Sequence, residues 1–337
     1  MKGFSVIIVT WNGLHHLKTF LPSVCETDYP DFEIILADNA STDGTVEWVN
    51  QYFPEVIIST FDDNYGYCGG NNKAVPFASK EVILFLNNDV KVDPQWLHGI
   101  NRCFQKDEEI AAVQPKLLSY NEPDHFEYAG AAGGFLDKYG YPYCRGRIFE
   151  TVEKDEGQYD TTSEIFWASG AALAIKKDLF IELGGFDEDF EFHMEEIDLC
   201  WRVQRSGFKI FYTPESTVYH LGGGSLTMGS PRKVYYNFRN NLFMLWKNYS
   251  TSELFFRLPI RLKLDVIAAW KSLLSGNAAD FFAIAKAHLH FFSGIIKVHS
   301  KRRMGLENKP RDLSGKASFS IIWQYFISGK KKFTELP

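Results

Sequence analysis

Three separated segments of this 337-residue chain carry side chains whose chemistry belongs together: Asn87-Asn88-Asp89, Glu195-Glu196-Ile197-Asp198, and His220. The first follows an apolar run, Val82 to Leu86, that reads as a buried strand. Parallel α/β sheets hold ligands at the carboxyl ends of such strands. Asp89 there can hold a divalent cation, Mg2+ or Mn2+, whose other positions are filled by diphosphate oxygens and water. His220 can add an imidazole to the same shell. The acidic cluster opens a helix, where carboxylates meet the positive end of the dipole and one of them can accept a proton. Cation, base and diphosphate together suit group transfer off a diphosphate.

Further polar residues fall at strand ends. Thr10-Trp11-Asn12 follows the first apolar run, and Asp38-Asn39-Ala40-Ser41-Thr42-Asp43-Gly44 follows the second. Asp38 is placed to accept a hydrogen bond from a base N–H or a ribose hydroxyl; the plainer reading is a solvated turn whose Ser41 or Thr42 caps the next helix. Asn64-Tyr65-Gly66-Tyr67-Cys68-Gly69-Gly70-Asn71-Asn72 leads glycines into a helix, leaving backbone N–H groups free to meet phosphate or sugar oxygens. It follows the third strand, not the first, and its glycine spacing differs from a dinucleotide-binding loop. Phe166-Trp167-Ala168-Ser169-Gly170 precedes the acidic cluster and fits the wall of an acceptor pocket, with Trp167 and Gly170 as its contacts.

The elements that must position these residues are legible as a pattern. Strands are expected at Val6–Thr10, Glu33–Ala37, Val56–Phe61, Val82–Leu86 and Ala111–Gln114. Helices are expected at Leu14–Val24, Thr45–Tyr52, Asn71–Ala78 and Pro94–Phe104, the last with Asp93 as N-cap. This alternation predicts a parallel sheet covered by helices. Residues 118–162 lose periodicity and read as an inserted region, with short strands at most. Regular elements return at Ala168–Ile175 (strand), Lys177–Leu183 and Glu195–Arg205 (helices), and Ile210–His220 (a strand pair broken by Pro214). After Pro231 three amphipathic helices follow, Tyr235–Asn248, Ser252–Leu274 and Ala278–Val298, and then a segment with Phe319, Ile322, Trp323 and Phe326 at spacings of three and four. The division expected is 1–230 (halves 1–117 and 118–230) and a helical, partly basic region 231–337.

Hydrophobic content of 45% and aromatic content of 16% support a large core. A net charge of −6 is too mild for nucleic acid as the main partner. From residue 297 onward ten Lys and Arg face three acids, so the tail carries +7 and the remainder −13. The five scattered cysteines suit reduced thiols in the cytoplasm. The chain enters a strand at once, without the pattern of a leader, and no apolar run of about 18 residues is seen to span a bilayer. A basic, aromatic tail reads as peripheral to a membrane, through residues 297–337, at its inner face. Helices packed on the catalytic part or forming a homodimer are the alternative.

Taken in order, these motifs resemble the inverting glycosyltransferases of family 2, of GT-A fold, and most closely their rhamnosyltransferase-like branch. The matching stretches are Val6 to Asn12, Asp38 to Gly44, Asn64 to Asn72, Asn87-Asn88-Asp89, Gly184-Gly185-Phe186-Asp187-Glu188, Glu195 to Arg202, and His220, within residues 3–250. The resemblance implies an α/β GT-A fold with a mainly parallel central sheet, helices on both faces and a C-terminal helical extension. It implies a nucleotide-diphosphate sugar (dTDP-rhamnose or a UDP-sugar) bound by Thr10, Trp11, Asn12, Asp38, Asn64, Gly66, Gly70, Asn71, Asn87, Asn88 and Asp89. It also implies a metal on Asp89 and His220, Glu196 as general base, and a saccharide or lipid-linked saccharide acceptor. Two departures stand out: the family's DxD motif is Asn87-Asn88-Asp89 here, and the Asp usual at the base position is Glu196. Glu195 and Asp198 stand beside it as alternative bases. A sugar nucleotidyltransferase would show a Gly-rich basic loop after the first strand, which Thr10-Trp11-Asn12-Gly13-Leu14 is not; a dehydrogenase needs its glycine loop there too. An inactive carbohydrate-binding or scaffold protein of the same fold would have no need of Asp89, Glu196 and His220 together.

Overall fold

The computed structural model describes residues 1–222, 230–302 and 313–337. The stretch Leu221 to Ser225 after His220 reads from sequence as a flexible loop able to close over a bound nucleotide; its Gly223-Gly224-Ser225, and Arg303, Lys309 and Arg311 of the basic tail, lie outside the described residues. The N-terminal part runs β1 (Phe4–Thr10), α1 (Leu14–Cys25), β2 (Phe32–Asp38), α2 (Thr45–Tyr52), β3 (Ile57–Thr60), α3 (Gly66–Ala74), β4 (Val82–Asn87), β5 (Val90–Val92), α4 (Trp96–Phe104) and β6 (Ile110–Ser119). Then come β7 (Gly134–Leu136), β8 (Pro142–Cys144), β9 (Arg147–Ile148), β10 (Thr151–Val152), β11 (Ser163–Glu164), β12 (Ala172–Lys176), α5 (Lys177–Glu182), α6 (Glu195–Arg205) and β13 (Lys209–His220). Three long helices follow, α7 (Pro231–Asn248), α8 (Thr251–Leu274) and α9 (Ala278–Arg302).

The central sheet has the order β11-β13-β6-β12-β4-β1-β2-β3, with β5 paired to β13. Strands β3, β2, β1 and β4 are parallel, and the Val, Ile and Leu runs of β1 and β4 are buried on both faces, as a helix-covered sheet requires. Beyond β4 the sheet is mixed. Strand β12 returns from the inserted region without a crossover helix and so enters antiparallel between β4 and β6. Register aligns Thr10 with Asp38 and Val9 with Asn87, which brings three of the polar strand ends to one edge of the sheet.

Several boundaries differ from the pattern. Helix α4 begins at Trp96, not Pro94, because Asp93 and Pro94 are spent on a preceding turn in which Trp96 N donates to Asp93 O at 3.1 Å. Helix α3 begins at Gly66, so the glycines lie inside it; without a Cβ, Gly70 lets the helix press against Val9 and Asn39. The expected strand pair around Pro214 is one strand, with the register shifting between Thr213 and Thr217, and the proline sits in that irregularity. Residues 134–152 form a separate antiparallel sheet, β10-β9-β8-β7. The tail is not a regular amphipathic helix: it makes a short π turn, Trp323–Ile327, with Ile321 and Tyr325 buried against Tyr143 and Ile148 of the small sheet. One helix, Ala278–Arg302, is long and apolar enough by length and composition to cross a membrane, which the sequence pattern had not shown. It packs on α7 and α8, with Ala283, Ala287, Phe291 and Val298 among its buried residues.

Candidate active site

The polar edge of the sheet is built from strand ends that hold one another. Asn88 Nδ2 donates to Thr10 Oγ1 at 3.1 Å, and a Cβ on Gly13 would run into both side chains, which makes glycine necessary there. Asn12 N donates to Ser41 Oγ and Thr42 N donates to Asn12 Oδ1, each at 2.8 Å, with Asn12 at φ 50° and Ala40 at φ 59°. Ser41 N donates to Asp38 Oδ2 at 3.0 Å. Asp38 Oδ1 is buried and finds no partner among the described residues, an acceptor suited to a ligand N–H or O–H. Trp11 stands exposed beside them. Across the edge, Gly66 N donates to Asn64 Oδ1 at 2.9 Å and Asn39 Nδ2 to Gly66 O at 3.0 Å, whereas Asn71 is buried and donates to Tyr67 O at 3.0 Å within its own helix.

Asp89 and His220 meet as the spacing of their strands requires. Strand β13 pairs with β5 so that His220 lies opposite Val90, and Leu221 N donates to Asp89 O at 3.0 Å. His220 Nε2 is 3.1 Å from Asp89 Oδ1 and 3.3 Å from Asn87 Nδ2. Its other ring nitrogen, Nδ1, lies 3.3 Å from Glu127 Oε1, an ion-pair distance with the angle unfit for a hydrogen bond. Burial opposes a charge on this ring, but the Glu127 and Asp89 carboxylates outweigh it and raise the pKa to about 10. Burial likewise works against the Asp89 carboxylate, and the His220 hydrogen bond and charge bring it below the ordinary range. Once a cation displaces the imidazole proton, a carboxylate oxygen and an imidazole nitrogen side by side fit Mg2+ or, with its tolerance for nitrogen, Mn2+. Among the described residues no group of three or more His, Cys, Asp or Glu is arranged to hold an ion, so phosphate and water would have to supply the remaining ligands. Glu127 was not singled out by sequence; it lies in the aperiodic insert, where only its charge distinguishes it.

Helix α6 brings the three candidate bases to different surroundings. Asp198 is fully buried and accepts from Arg202 Nε at 2.9 Å, Lys247 Nζ at 2.9 Å and Asn248 Nδ2 at 2.8 Å, a network that holds its carboxyl below the usual range even against burial. The Glu195 carboxyl is buried with Oε2 unpartnered, and burial, then the Glu196 charge, pushes it well above the usual range. Burial raises Glu196 to about 7 against the pull of nearby backbone N–H groups. Two adjacent carboxyls pushed apart in this way suit one proton holder and one proton acceptor. Gly170 joins them to the strand edge. Tyr67 OH donates to its carbonyl at 2.8 Å, a Cβ on it would come within 3.8 Å of Glu196 Cβ, and the next residue, Ala171, accepts from Asn87 N at 3.0 Å. Trp167 lies lower: its ring is buried against Gly134 and its Nε1–H donates to Phe135 O at 3.1 Å, so it supports the wall without facing an acceptor.

The turn leading into α6 is held in a costly conformation. Glu191, His193 and Met194 have φ values of 60°, 65° and 75°, which non-glycine residues rarely adopt. Asn240 of α7 clamps it, its Nδ2 facing the carbonyls of Phe190, Phe192 and His193 at 2.6, 2.5 and 3.0 Å. Arg239 adds bonds to Asp189 O at 3.0 Å and Phe190 O at 3.2 Å. The Gly184–Glu188 motif serves the same end, with Arg202 bonded to Leu183 O at 2.8 Å and Gly185 O at 2.9 Å. Asn240→Ala is therefore expected to lower stability by about 1–3 kcal/mol and kcat by roughly 10²-fold through a displaced Glu196, with UDP affinity unchanged; urea melts and kinetics with titrated UDP check both.

A hollow of about 430 Å3 between the tail and the small sheet, lined by residues such as Phe135, Tyr143, Phe319 and Phe333, contains none of these carboxylates. Asp89, Glu196 and His220 lie away from this hollow. Residues 5–184 match the profile of Glycosyl transferase family 2. The O-antigen biosynthesis protein RfbC of Myxococcus xanthus is 31% identical over 212 residues, 60% of this chain but 16% of that protein. The N-acetylglucosaminyl-diphospho-decaprenol L-rhamnosyltransferase of Mycobacterium tuberculosis is 27% identical over 64% of this chain and 75% of its own length. Among solved structures, the mannosyltransferase PcManGT from Pyrobaculum calidifontis, in complex with GDP-Man and Mn2+, superposes with a TM-score of 0.53 at 16% identity, covering 90% of this chain and 84% of that one. With its GT-A architecture and this matched region, the chain belongs to glycosyltransferase family 2 and is rhamnosyltransferase-like.

Proposed function

We propose that the protein is an inverting transferase that moves a sugar from a nucleotide-diphosphate donor to a hydroxyl of a saccharide or lipid-linked saccharide in cell-surface polysaccharide synthesis. The observation that carries this reading is Glu196, a carboxyl near neutrality, joined through Gly170 and Ala171 to the strand edge that bears Asp89 and His220. Glu196 takes the acceptor proton as the hydroxyl oxygen attacks the anomeric carbon; the carbon–oxygen bond to the diphosphate breaks, and one-step attack inverts the configuration. Asp38 and Thr10 bind the nucleoside, and Asn88 and Asn12 shape the loop around it. Asp89 and His220 would hold Mg2+ or Mn2+, with Glu127 orienting the imidazole. The metal would neutralise charge on the departing diphosphate.

The name of the mycobacterial relative favours dTDP-rhamnose and a lipid-diphosphate-linked acceptor, and with it a place at the cytoplasmic face of the membrane. Thermal-shift titration with UDP, dTDP and GDP, each with and without Mn2+, tests the donor class. Stabilisation by one diphosphate that requires Mn2+ is expected. A shift by nucleoside triphosphates alone, with none from any diphosphate, would instead indicate a nucleotidyltransferase.

A further inference from the structure

We propose that the outer face of the α8–α9 pair is a docking surface for an anionic lipid bilayer. On α8 the residues Phe256, Ile260, Lys263, Ile267, Trp270 and Leu274 recur at alternating spacings of four and three, one stripe of a helix, and every one of them is exposed. On α9 Phe282, Lys286, Leu289, Phe292 and Ile296 form the matching stripe. Leu274 and Ile296 are 84% and 82% exposed, far beyond what packed helices leave bare. The opposite faces are spent on the protein: Leu258, Arg261 and Ala269 of α8, and Ala283, Ala287 and Phe291 of α9, are buried. The patch extends to the tail, where Lys271 Nζ sits 4.5 Å over the Phe326 ring and Trp323, Phe326 and Ile327 are exposed. Continuous apolar exposure of this kind marks an interaction surface.

Charge selects the occupant. Residues 251–302 carry eight Lys and Arg against three acids, Glu253, Asp265 and Asp280. None of the three acids is exposed, and Glu253 and Asp265 are paired with Lys316 at 2.6 Å and Arg261 at 2.8 Å, while Lys263, Lys271 and Lys286 are exposed. A second copy docked here by two-fold symmetry would bring these cations against themselves. Anionic headgroups would neutralise them as the lysine stems reach past the apolar stripe. Residues 297–337, expected to be the membrane contact, give Lys297 and Lys301 instead to Asp189, each at 2.7 Å, and Ile321 and Tyr325 to the small sheet. The Asp189 ion pairs tie α9 to the turn that leads into α6, while Tyr141 OH bonded to Asp265 at 2.9 Å and Arg261 bonded to Asn241 tie α8 to the inserted region and to α7.

The surface deepens the lipid-linked reading and rests on it only for the acceptor. Sedimentation of the full chain with phosphatidylcholine vesicles, with and without phosphatidylglycerol, tests it against Ile267→Glu/Leu274→Glu/Ile296→Glu. All three sites are exposed, so the variant should keep the melting temperature and the shift given by UDP with Mn2+. Binding of the parent only to phosphatidylglycerol vesicles, weakened by salt and by at least roughly tenfold in the variant, is expected. Equal binding by parent and variant, or no binding by either, overturns the surface, as does a variant that turns a dimer into a monomer while its vesicle binding stays the same. If the variant loses vesicle binding while the parent gives no shift with UDP, dTDP or GDP, the surface stands and the transferase reading falls.

Discussion

Replacing Glu196 with Gln is expected to slow sugar transfer by about 10²–10⁴-fold while UDP and Mn2+ titrations keep their midpoints. Gln keeps the size and the position on the first turn of α6, and it removes only the ability to take a proton. The neighbouring carboxyls are poor substitutes. Glu195 is pushed well above the usual carboxylate range by burial and by the Glu196 charge. Asp198 is tied to Arg202, Lys247 and Asn248, so a proton there would break a buried network. Transfer rates near the wild type in Glu196→Gln would move the base elsewhere.

Asp89→Asn should remove the dependence of the UDP thermal shift on Mn2+ and reduce transfer by at least about 10²-fold. The side chain is nearly buried, and its partner is His220 at 3.1 Å. Asn can still accept a hydrogen bond from a protonated or neutral imidazole, so the strand edge should stay folded. What it loses is the negative charge that a hard cation requires. A melting temperature within a few degrees of the parent, with a Mn2+-independent UDP shift, would separate this from unfolding. A variant that keeps its Mn2+ response would show that the ion sits elsewhere.

Apolar runs bounded by turn residues were enough to place β1, β2 and β4 and to put Thr10, Asp38 and Asn87 at strand ends, because both faces of these strands are buried. The level register of those ends depends on pairing between strands, which no local pattern encodes. The different surroundings of Glu195, Glu196 and Asp198 were equally hidden: they come from Lys247 and Asn248, which lie far downstream in the sequence, and from burial. Glu127 lies in a stretch whose small sheet is built from strands of two or three residues, too short to show a period. Pro214 misled because a bulge tolerates proline within a strand. The tail's spacing did not show how its described residues divide, with Ile321 and Tyr325 packed on the small sheet and Trp323, Phe326 and Ile327 exposed.

The pH dependence of single-turnover transfer, measured in the parent and in Glu196→Gln, bears most directly on base catalysis by this carboxylate. Below a pKa of about 7 Glu196 holds its proton and cannot accept another, so the parent rate should climb as pH rises through neutrality and then level off. The slow variant should lack that limb. A parent profile flat from about 1.5 pH units below to about 1.5 above neutrality, or the same limb persisting in the variant, would contradict it.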